Sequence, residues 1–261
     1  TVHTPIQGCK AYDDTYQDMS FALPDSGRMQ IREEHNGITR INQSHPKYAA
    51  MVRSMDTNVG RLMDKLEAIG KLDNTIVVFT SDNGGLSTTG NGGPTSVLPL
   101  RAGKGWCYEG GIRVPLMIRY PGIRNAGSVC EQPVISTDFY PTLAELAGIP
   151  LPEQVNFDGQ SVVRSLLEPE LSYNRTLTWH YPHYHGSTWR PGSALRSDSW
   201  KLVEFYEDKT LELYDLSNDP EELNDLSKEL PLVADTLRQR LHRILDEMGA
   251  SYPVPRYGHN E

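Results

Sequence analysis

Short uninterrupted runs of apolar and β-branched residues mark the predicted strands in the first two thirds of the chain. Residues 75–80 read TIVVFT, without the polar alternation of a half-exposed strand, and such a run is typical of a strand covered on both faces. Residues 116–120 are predicted as a second buried strand. Residues 8–44 show little periodicity and are predicted to form a connecting segment with one short helix. We therefore expect residues 75–80 to be a central strand of an α/β sheet.

A long amphipathic helix is predicted just before the central strand. Apolar residues recur at three- and four-residue steps between Tyr48 and Ile69, as on one face of a helix. Ser44 is a suitable N-cap, Pro46 suits the first turn, and Gly70 is placed to end the helix. The order of helix, short turn and strand is that of a crossover unit. The apolar stripe is therefore expected to pack against the sheet.

The pattern changes after about residue 170. Short strands separated by turns predict an antiparallel sheet, with strands at residues 176–180, 193–196, 200–206 and 211–215. A terminal helix over residues 231–249 carries its apolar positions on one face and should pack on this sheet. These patterns divide the chain into an α/β body, residues 1–170, and a smaller antiparallel α+β subdomain, residues 171–261.

Composition and charge narrow the possible functions. The 261 residues include 25 Lys and Arg against 34 Asp and Glu, a net charge of −9. Nothing forms a basic stripe, which argues against a nucleic-acid binder, but a local cationic pocket for an anionic substrate can sit in an acidic protein. No apolar run approaches the roughly 20 residues of a membrane span. Cys9, Cys107 and Cys130 show no metal-ligand or redox spacing.

Polar residues that could bind a metal ion or an anionic substrate follow the predicted central strand. Asp82 and Asn83 stand just beyond residues 75–80 and precede two glycines, where ligands gather in open α/β sheets. Their side-chain oxygens make a half-site for a hard divalent cation, although an ordinary Asx-turn would explain the same spacing. Lys104 lies between two glycines, and a compact ammonium in such a loop suits an anionic substrate.

The order of these segments resembles one known family. SDNGG at residues 81–85, followed by GKGWCYEGGIRVP at residues 103–115, resembles the second half of the sulfatases, in the alkaline-phosphatase-like superfamily. VHTPI near the start and LYDLSNDPEE at residues 213–222 are similar to two further motifs of that family. The resemblance covers nearly the whole chain but only the C-terminal part of a complete sulfatase. It implies an α/β fold with a mostly parallel sheet flanked by helices, plus the small antiparallel α+β subdomain.

The resemblance also implies roles for individual residues. Asp82 and Asn83 would be the late pair of Ca²⁺ ligands, Lys104 would bridge the sulfate and the leaving oxygen, and His3 would assist at that oxygen. The family nucleophile is a formylglycine made from Cys or Ser in a C-x-P/A-x-R motif, which does not occur in this chain. The early acidic ligands are missing too. We therefore expect an incomplete calcium site, a chain inactive alone, and a partner in the missing N-terminal half of the same enzyme.

A histidine-rich loop is the remaining candidate for substrate binding. His180, His183 and His185 lie in WHYPHYHG, ahead of Arg190. Nearby prolines and glycines do not build a tetrahedral zinc cage. His183, His185 and Arg190 are predicted to contact sugar rings beside the catalytic mouth, and an ordinary polar loop is the alternative.

Three functions remain open at this point. The first is a calcium-dependent sulfatase acting on an aryl or, by preference, a carbohydrate sulfate ester. The second is a phosphodiesterase or phosphonate hydrolase of the same superfamily. The third is a non-catalytic remnant that binds sulfated glycans. By family resemblance the protein would be secreted, periplasmic or lysosomal.

Overall fold

The long amphipathic helix is present, with a different cap. The computed structural model describes residues 2–8, 10–17, 29–123 and 125–254. Helix α1 (Lys10–Gln17) packs on helix α2 (Pro46–Ala68). The predicted cap at Ser44 is wrong, because the side chain of His45 accepts the N–H of Tyr48 at 3.3 Å. Ser44 instead interacts with Arg40 and Asn42. Apart from Ala50, the helix has no buried residue, so its apolar stripe is not packed against a sheet.

The two strands predicted to be buried do form, but among the described residues they pair only with each other. Strand β3 (Val77–Thr80) and strand β5 (Leu116–Arg119) make an antiparallel pair with Val77 opposite Arg119. Burial on both faces is wrong for this chain, since β3 is half-buried and Met117 of β5 is 58% exposed. The physical reason is that no further strand of the described residues flanks the pair. All strand pairs in the described ranges are antiparallel, so the implied parallel pairing is not formed within them.

A second small sheet occupies part of the segment expected to be connecting structure. Strands β1 (Ile31–Glu34) and β2 (Gly37–Arg40) form an antiparallel hairpin, and β4 (Thr88–Thr89) pairs with β2. The short helix expected in this segment corresponds to α1. The hairpin tethers the loop after β3, because Arg40 N–H donates to the Ser87 carbonyl at 2.9 Å.

The antiparallel sheet near the C-terminus is confirmed. Strands β6 (Thr176–Tyr181), β7 (Gly192–Ser197), β8 (Trp200–Phe205) and β9 (Thr210–Asp215) lie in sequence order. Helix α6 (Pro231–Glu247) covers one face, where Leu237, Leu241 and Leu245 pack against Leu195, Leu202 and Leu213. The boundary after residue 170 stays a prediction.

The other face of this sheet holds the glycine-rich loop that carries Lys104. The loop ends in a short helix, α3 (Glu109–Ile112). One cluster of buried residues combines loop and sheet side chains: Ala102, Trp106, Cys107, Tyr108, Trp189, Ala194, Val203, Phe205 and Tyr214. The glycine-rich loop and this face of the sheet therefore bury each other's side chains.

Two further helices connect these parts. Helix α4 (Phe139–Leu146) follows Asp138, and helix α5 (Val163–Leu167) lies beyond it. The Asp138 carboxylate makes no capping hydrogen bond to α4; it accepts the backbone N–H groups of Ile135 and Gln160 and binds Arg175. Among the described helices, none has both the length and the apolar character to span a bilayer.

Candidate active site

The structure brings His3 and Lys104 together across 101 residues of sequence. Lys104 Nζ lies 3.2 Å from His3 Nε2, and His3 Nδ1 lies 2.8 Å from the Thr4 carbonyl oxygen. Because that carbonyl can only accept, Nδ1 carries the proton, and Nε2 is left to accept from the ammonium. The pair therefore fits a neutral imidazole beside a charged lysine.

Asp82 and Asn83 lie in the turn that follows β3, next to the Lys104 loop. Asn83 Nδ2 donates to Asp82 Oδ1 at 3.3 Å. The Gly84 N–H donates to the Gly111 carbonyl, and the Lys104 N–H donates to the Gly85 carbonyl, both at 2.9 Å. A Cβ on Gly84 would overlap the Gly110 carbonyl oxygen, so this close approach requires glycine. The turn and the lysine loop are thus fixed to each other through the backbone.

The oxygens present do not make a complete calcium site. Asp82 and Asn83 supply hard oxygen ligands, but Ca²⁺ takes six to eight. Within the part of the chain that the structure describes, no group of three or more His, Cys, Asp or Glu side chains could hold a metal ion. The predicted role of Asp82 and Asn83 stays a prediction, and no step through a metal follows from these residues.

His185 lies close to Lys104. A Cβ on Gly105, whose φ is +84°, would overlap the imidazole of His185. His185 Nδ1 is 2.7 Å from Ser187 Oγ. Partial burial lowers the pKa of His185, and the neighbouring Lys104 ammonium lowers it further. A neutral imidazole therefore borders the same space as Lys104 and His3.

The rest of the histidine-rich loop is divided between exposed and structural positions. His183 is exposed, with its ring edge toward Tyr181. His180 points into the protein, where Nδ1 lies 2.7 Å from Ser193 Oγ. Within the described ranges, these three histidines do not come together as a group that could hold a metal ion.

Arg190 already has partners of its own. Its Nη1 donates to Asp208 Oδ2 at 2.7 Å, and its guanidinium lies 4.6 Å from the centre of the Phe205 ring. This hydrogen bond lowers the pKa of Asp208 to about 2. The predicted substrate contacts of His183, His185 and Arg190 stay predictions, and Arg190 would have to leave Asp208 or share it.

Sequence reasoning missed the polar cluster behind the lysine loop. Arg101 binds Glu34 through two hydrogen bonds, of 2.9 and 2.7 Å, and donates to Tyr214 and to the Glu222 carbonyl. The guanidinium also lies 4.0 Å from the centre of the Tyr108 ring. An arginine three residues before Lys104 carries no sequence signal for such remote partners. Arg101 thus ties the loop to the β1–β2 hairpin and to the C-terminal sheet.

Comparison with known proteins finds sulfatases among the similar sequences. A sulfatase from Formosa agariphila is 39% identical over 224 residues, which are 78% of this chain and 40% of that protein. An N-acetylglucosamine-6-O-sulfatase from Bacteroides thetaiotaomicron is 35% identical over 185 residues, 69% of this chain and 31% of its own length. The crystal structure of Ps i-CgsB in complex with k-i-k-neocarrahexaose superimposes with a TM-score of 0.69 at 26% identity, covering 99% of this chain and 50% of that one.

These matches confirm the predicted fold class and show how much of each relative this chain covers. The chain spans half or less of the length of these relatives. The family model described as N-sulphoglucosamine sulphohydrolase, C-terminal, matches residues 102–250. The model described as Sulfatase matches residues 1–149. With matches to both models and 39% identity to a curated relative, the chain belongs to the sulfatase family.

Proposed function

We propose that this chain is the C-terminal part of a sulfatase that hydrolyses a carbohydrate sulfate ester, with Lys104 and His3 at the ester. The observation that carries the proposal is the 3.2 Å contact between their side chains, held beside the Asp82–Asn83 turn. The names of two similar proteins support the substrate class, since one is an N-acetylglucosamine-6-O-sulfatase and another was solved with a neocarrahexaose.

The two side chains divide the work at the leaving oxygen. The Lys104 ammonium has three N–H donors, of which one faces His3, so two remain for oxygens of the ester. As the S–O bond breaks, negative charge builds on the leaving oxygen, and a fixed cation stabilises it. His3 can take a proton from water at Nε2 and, as the imidazolium, donate that proton to the departing alcohol and return to the neutral form.

The formylglycine motif of the family does not occur in this sequence, so the chain supplies no nucleophile of that kind. Burial raises the pKa of the Cys107 thiol to about 12, so it is not a thiolate at neutral pH. Neither Cys107 nor Cys130 lies in a formylglycine motif. A formylglycine and the remaining calcium ligands would have to come from the other half of the enzyme, where the hydrated aldehyde would attack sulfur.

Exposed apolar faces indicate where that other half would bind. Leu62 of α2, Ile69 just after the end of α2 and Met117 of β5 are all more than half exposed. The matched relatives are at least twice as long as the aligned part of this chain. We propose that the N-terminal half covers α2 and extends the β3–β5 pair into the larger sheet of the family. By family resemblance, we expect a secreted, periplasmic or lysosomal enzyme.

The test is sulfate release by the full-length protein encoded by the whole reading frame. Suitable substrates are N-acetylglucosamine 6-sulfate, sulfated galactan oligosaccharides and nitrophenyl sulfate, with nitrophenyl phosphonate and phosphodiester counterparts. We expect release from at least one sugar sulfate, loss of that release in His3→Ala, and no loss in Lys71→Ala, an exposed lysine before β3.

Each alternative predicts a different result. Turnover of the phosphorus esters alone would replace the proposal with a phosphodiesterase or phosphonate hydrolase. Binding of sulfated oligosaccharides without hydrolysis would identify a non-catalytic glycan-binding protein.

A further inference from the structure

Helix α3 cannot hold its own position. It has four residues, Glu-Gly-Gly-Ile, and a helix this short is far below the length that is stable alone. Two glycines weaken it further, because glycine has low helix propensity. The place of α3 must therefore be set by its contacts with the rest of the molecule.

The side chain of Glu109 provides a buried anchor. Its Oε1 accepts from Lys201 Nζ on β8 at 2.9 Å, and its Oε2 lies 3.4 Å from Arg196 on β7. The Glu109 N–H donates to Glu222 Oε2 at 2.7 Å, and Lys201 Nζ lies 3.6 Å from Glu222 Oε1. Lys201 and Glu222 are fully buried, and Glu109 is 1% exposed. The cluster joins α3 to the C-terminal sheet.

The opposite side of α3 supports both parts of the candidate site. The Gly111 carbonyl accepts the Gly84 N–H of the Asp82–Asn83 turn at 2.9 Å. The Gly110 N–H donates to the Arg101 carbonyl at 2.9 Å, three residues before Lys104. A shift of α3 would therefore disturb its contacts with the turn and with the residues that precede Lys104.

Stability alone is a poor explanation for this cluster. Desolvating buried charges costs about as much as their attraction returns, and apolar replacements are often neutral. We infer that Glu109 is a positioning residue, which fixes α3 through Lys201 and so sets the distance between the Asp82–Asn83 turn and Lys104. The expected effect on kcat rests on the proposed function. The expected effect on the position of α3 does not.

Two substitutions of Glu109 in the full-length enzyme distinguish its hydrogen bond to Lys201, which would position α3, from its negative charge. Glu109→Gln keeps an oxygen that can accept from Lys201. Glu109→Leu has a similar size but no acceptor, and it leaves the Lys201 ammonium balanced by Glu222, so the protein should fold. The double variant Lys201→Met/Glu222→Gln breaks the same contact from the sheet side, leaves Glu109 with Arg196, and should give the same results as Glu109→Leu.

The expected kinetic effect is a split between kcat and KM. In Glu109→Leu, kcat on a sugar sulfate should fall by about 10²-fold, the scale for a displacement near 1 Å, while KM changes by less than about threefold. The loss should be smaller for nitrophenyl sulfate, whose leaving group needs less help from Lys104. Glu109→Gln should stay within about fivefold of the wild type on both substrates.

Amide hydrogen exchange gives a readout independent of activity. The N–H groups of Gly84 and Lys104 should exchange about tenfold faster in Glu109→Leu than in Glu109→Gln, because local opening becomes easier. A matched control is Arg175→Met/Asp138→Asn, which removes another buried ion pair, of 2.6 Å. It should lower Tm without changing either exchange rate or the ratio of the two substrates.

Equal exchange in the Leu and Gln variants, or an equal loss on both substrates, would overturn the inference. If the wild-type enzyme hydrolysed no sulfate ester, the proposed function would fail. The exchange comparison would then decide the anchoring by itself.

Discussion

Lys104 and Lys201 differ in burial and in the partners of their ammonium groups. Lys201 is fully buried, and its ammonium is held by Glu109 and Glu222. Among the described residues, Lys104 instead has a neutral imidazole as its polar side-chain partner. An ammonium without a carboxylate partner keeps its charge available for an anion. The geometry thus favours Lys104 as the cation that meets the substrate.

Replacing Lys104 in the full-length enzyme should affect the transition state more than substrate binding. Lys104→Ala should lower kcat by roughly 10²–10³, the scale for losing one charge-stabilising donor. Lys104→Arg should recover little, because a planar fork does not replace a compact charge. The loss should shrink for nitrophenyl sulfate in a comparison of leaving groups. Equal losses for good and poor leaving groups would leave Lys104 as a simple sulfate-binding cation.

Glu222 makes a separate prediction about pH. Burial, aided by the neighbouring Glu109 carboxylate, raises the pKa of Glu222 from 4.5 to about 7, although Lys201 and Arg101 oppose the shift. Between these values the native state binds more protons than the unfolded state. The free energy of unfolding should therefore fall as pH rises from about 4.5 to 7, by at most about 3 kcal/mol from this group.

Glu222→Gln should remove that contribution. The measurement is chemical denaturation of the full-length enzyme at several pH values, with Glu229→Gln as the exposed control. The variant should gain stability relative to the wild type between pH 5 and 8. A constant difference across this range would mean that Glu222 keeps an ordinary pKa.

At the scale of elements, the hydrophobic pattern predicted correctly which segments are helices and strands. It did not predict how much of each element is buried within this chain. The helix α2 and the strands β3 and β5 form where expected, yet most of their apolar side chains are not buried within this chain. A hydrophobic pattern indicates which residues are buried in the complete protein. It does not indicate which other segment packs against them. On the proposed function, that cover is the N-terminal half.

The missed hairpin had a signal in the sequence. Asn36-Gly37 lies between the runs IREE, residues 31–34, and ITRI, residues 38–41, and an Asn-Gly pair is a strong hairpin signal. The candidate site is a different case. Resemblance placed His3, Lys104, Asp82 and Asn83 in one site, but no local pattern could show that α3 holds its position through residues on β7 and β8. Such contacts join residues about 90 positions apart.

Leu62 tests the proposed cover on α2. It is 59% exposed in this chain, so Leu62→Ala would have little effect if that surface stayed in water. In the full-length enzyme we expect a loss of about 2–5 kcal/mol in the free energy of unfolding, as for a buried leucine. Leu232, 82% exposed on α6, is the control, and Leu232→Ala should stay within about 0.5 kcal/mol. Equal small effects would place the N-terminal half elsewhere.

At the scale of the whole molecule, the lysine loop and the C-terminal sheet form a common core. Trp106 and Tyr108 of the loop are buried among Trp189, Val203 and Phe205 of the sheet side. Trp106 Nε1 also donates to the Ser187 carbonyl at 2.8 Å. The part of the chain that carries Lys104 therefore depends on the part that carries no proposed catalytic residue.

Deleting residues 171–261 from the full-length enzyme should consequently abolish the catalytic fold as well as the C-terminal sheet. The deletion would expose Trp106 and Tyr108, and it would take Lys201 and Arg196 away from Glu109 and Tyr214 away from Arg101. Each exposed aromatic side chain costs about 1.5–3 kcal/mol, and each lost ion pair or hydrogen bond adds to that cost. We expect an insoluble or unfolded product by circular dichroism and size-exclusion chromatography, and a single thermal transition for the intact enzyme. A soluble deletion product with native-like exchange protection at Gly84 and Lys104 would show that the lysine loop folds without the sheet.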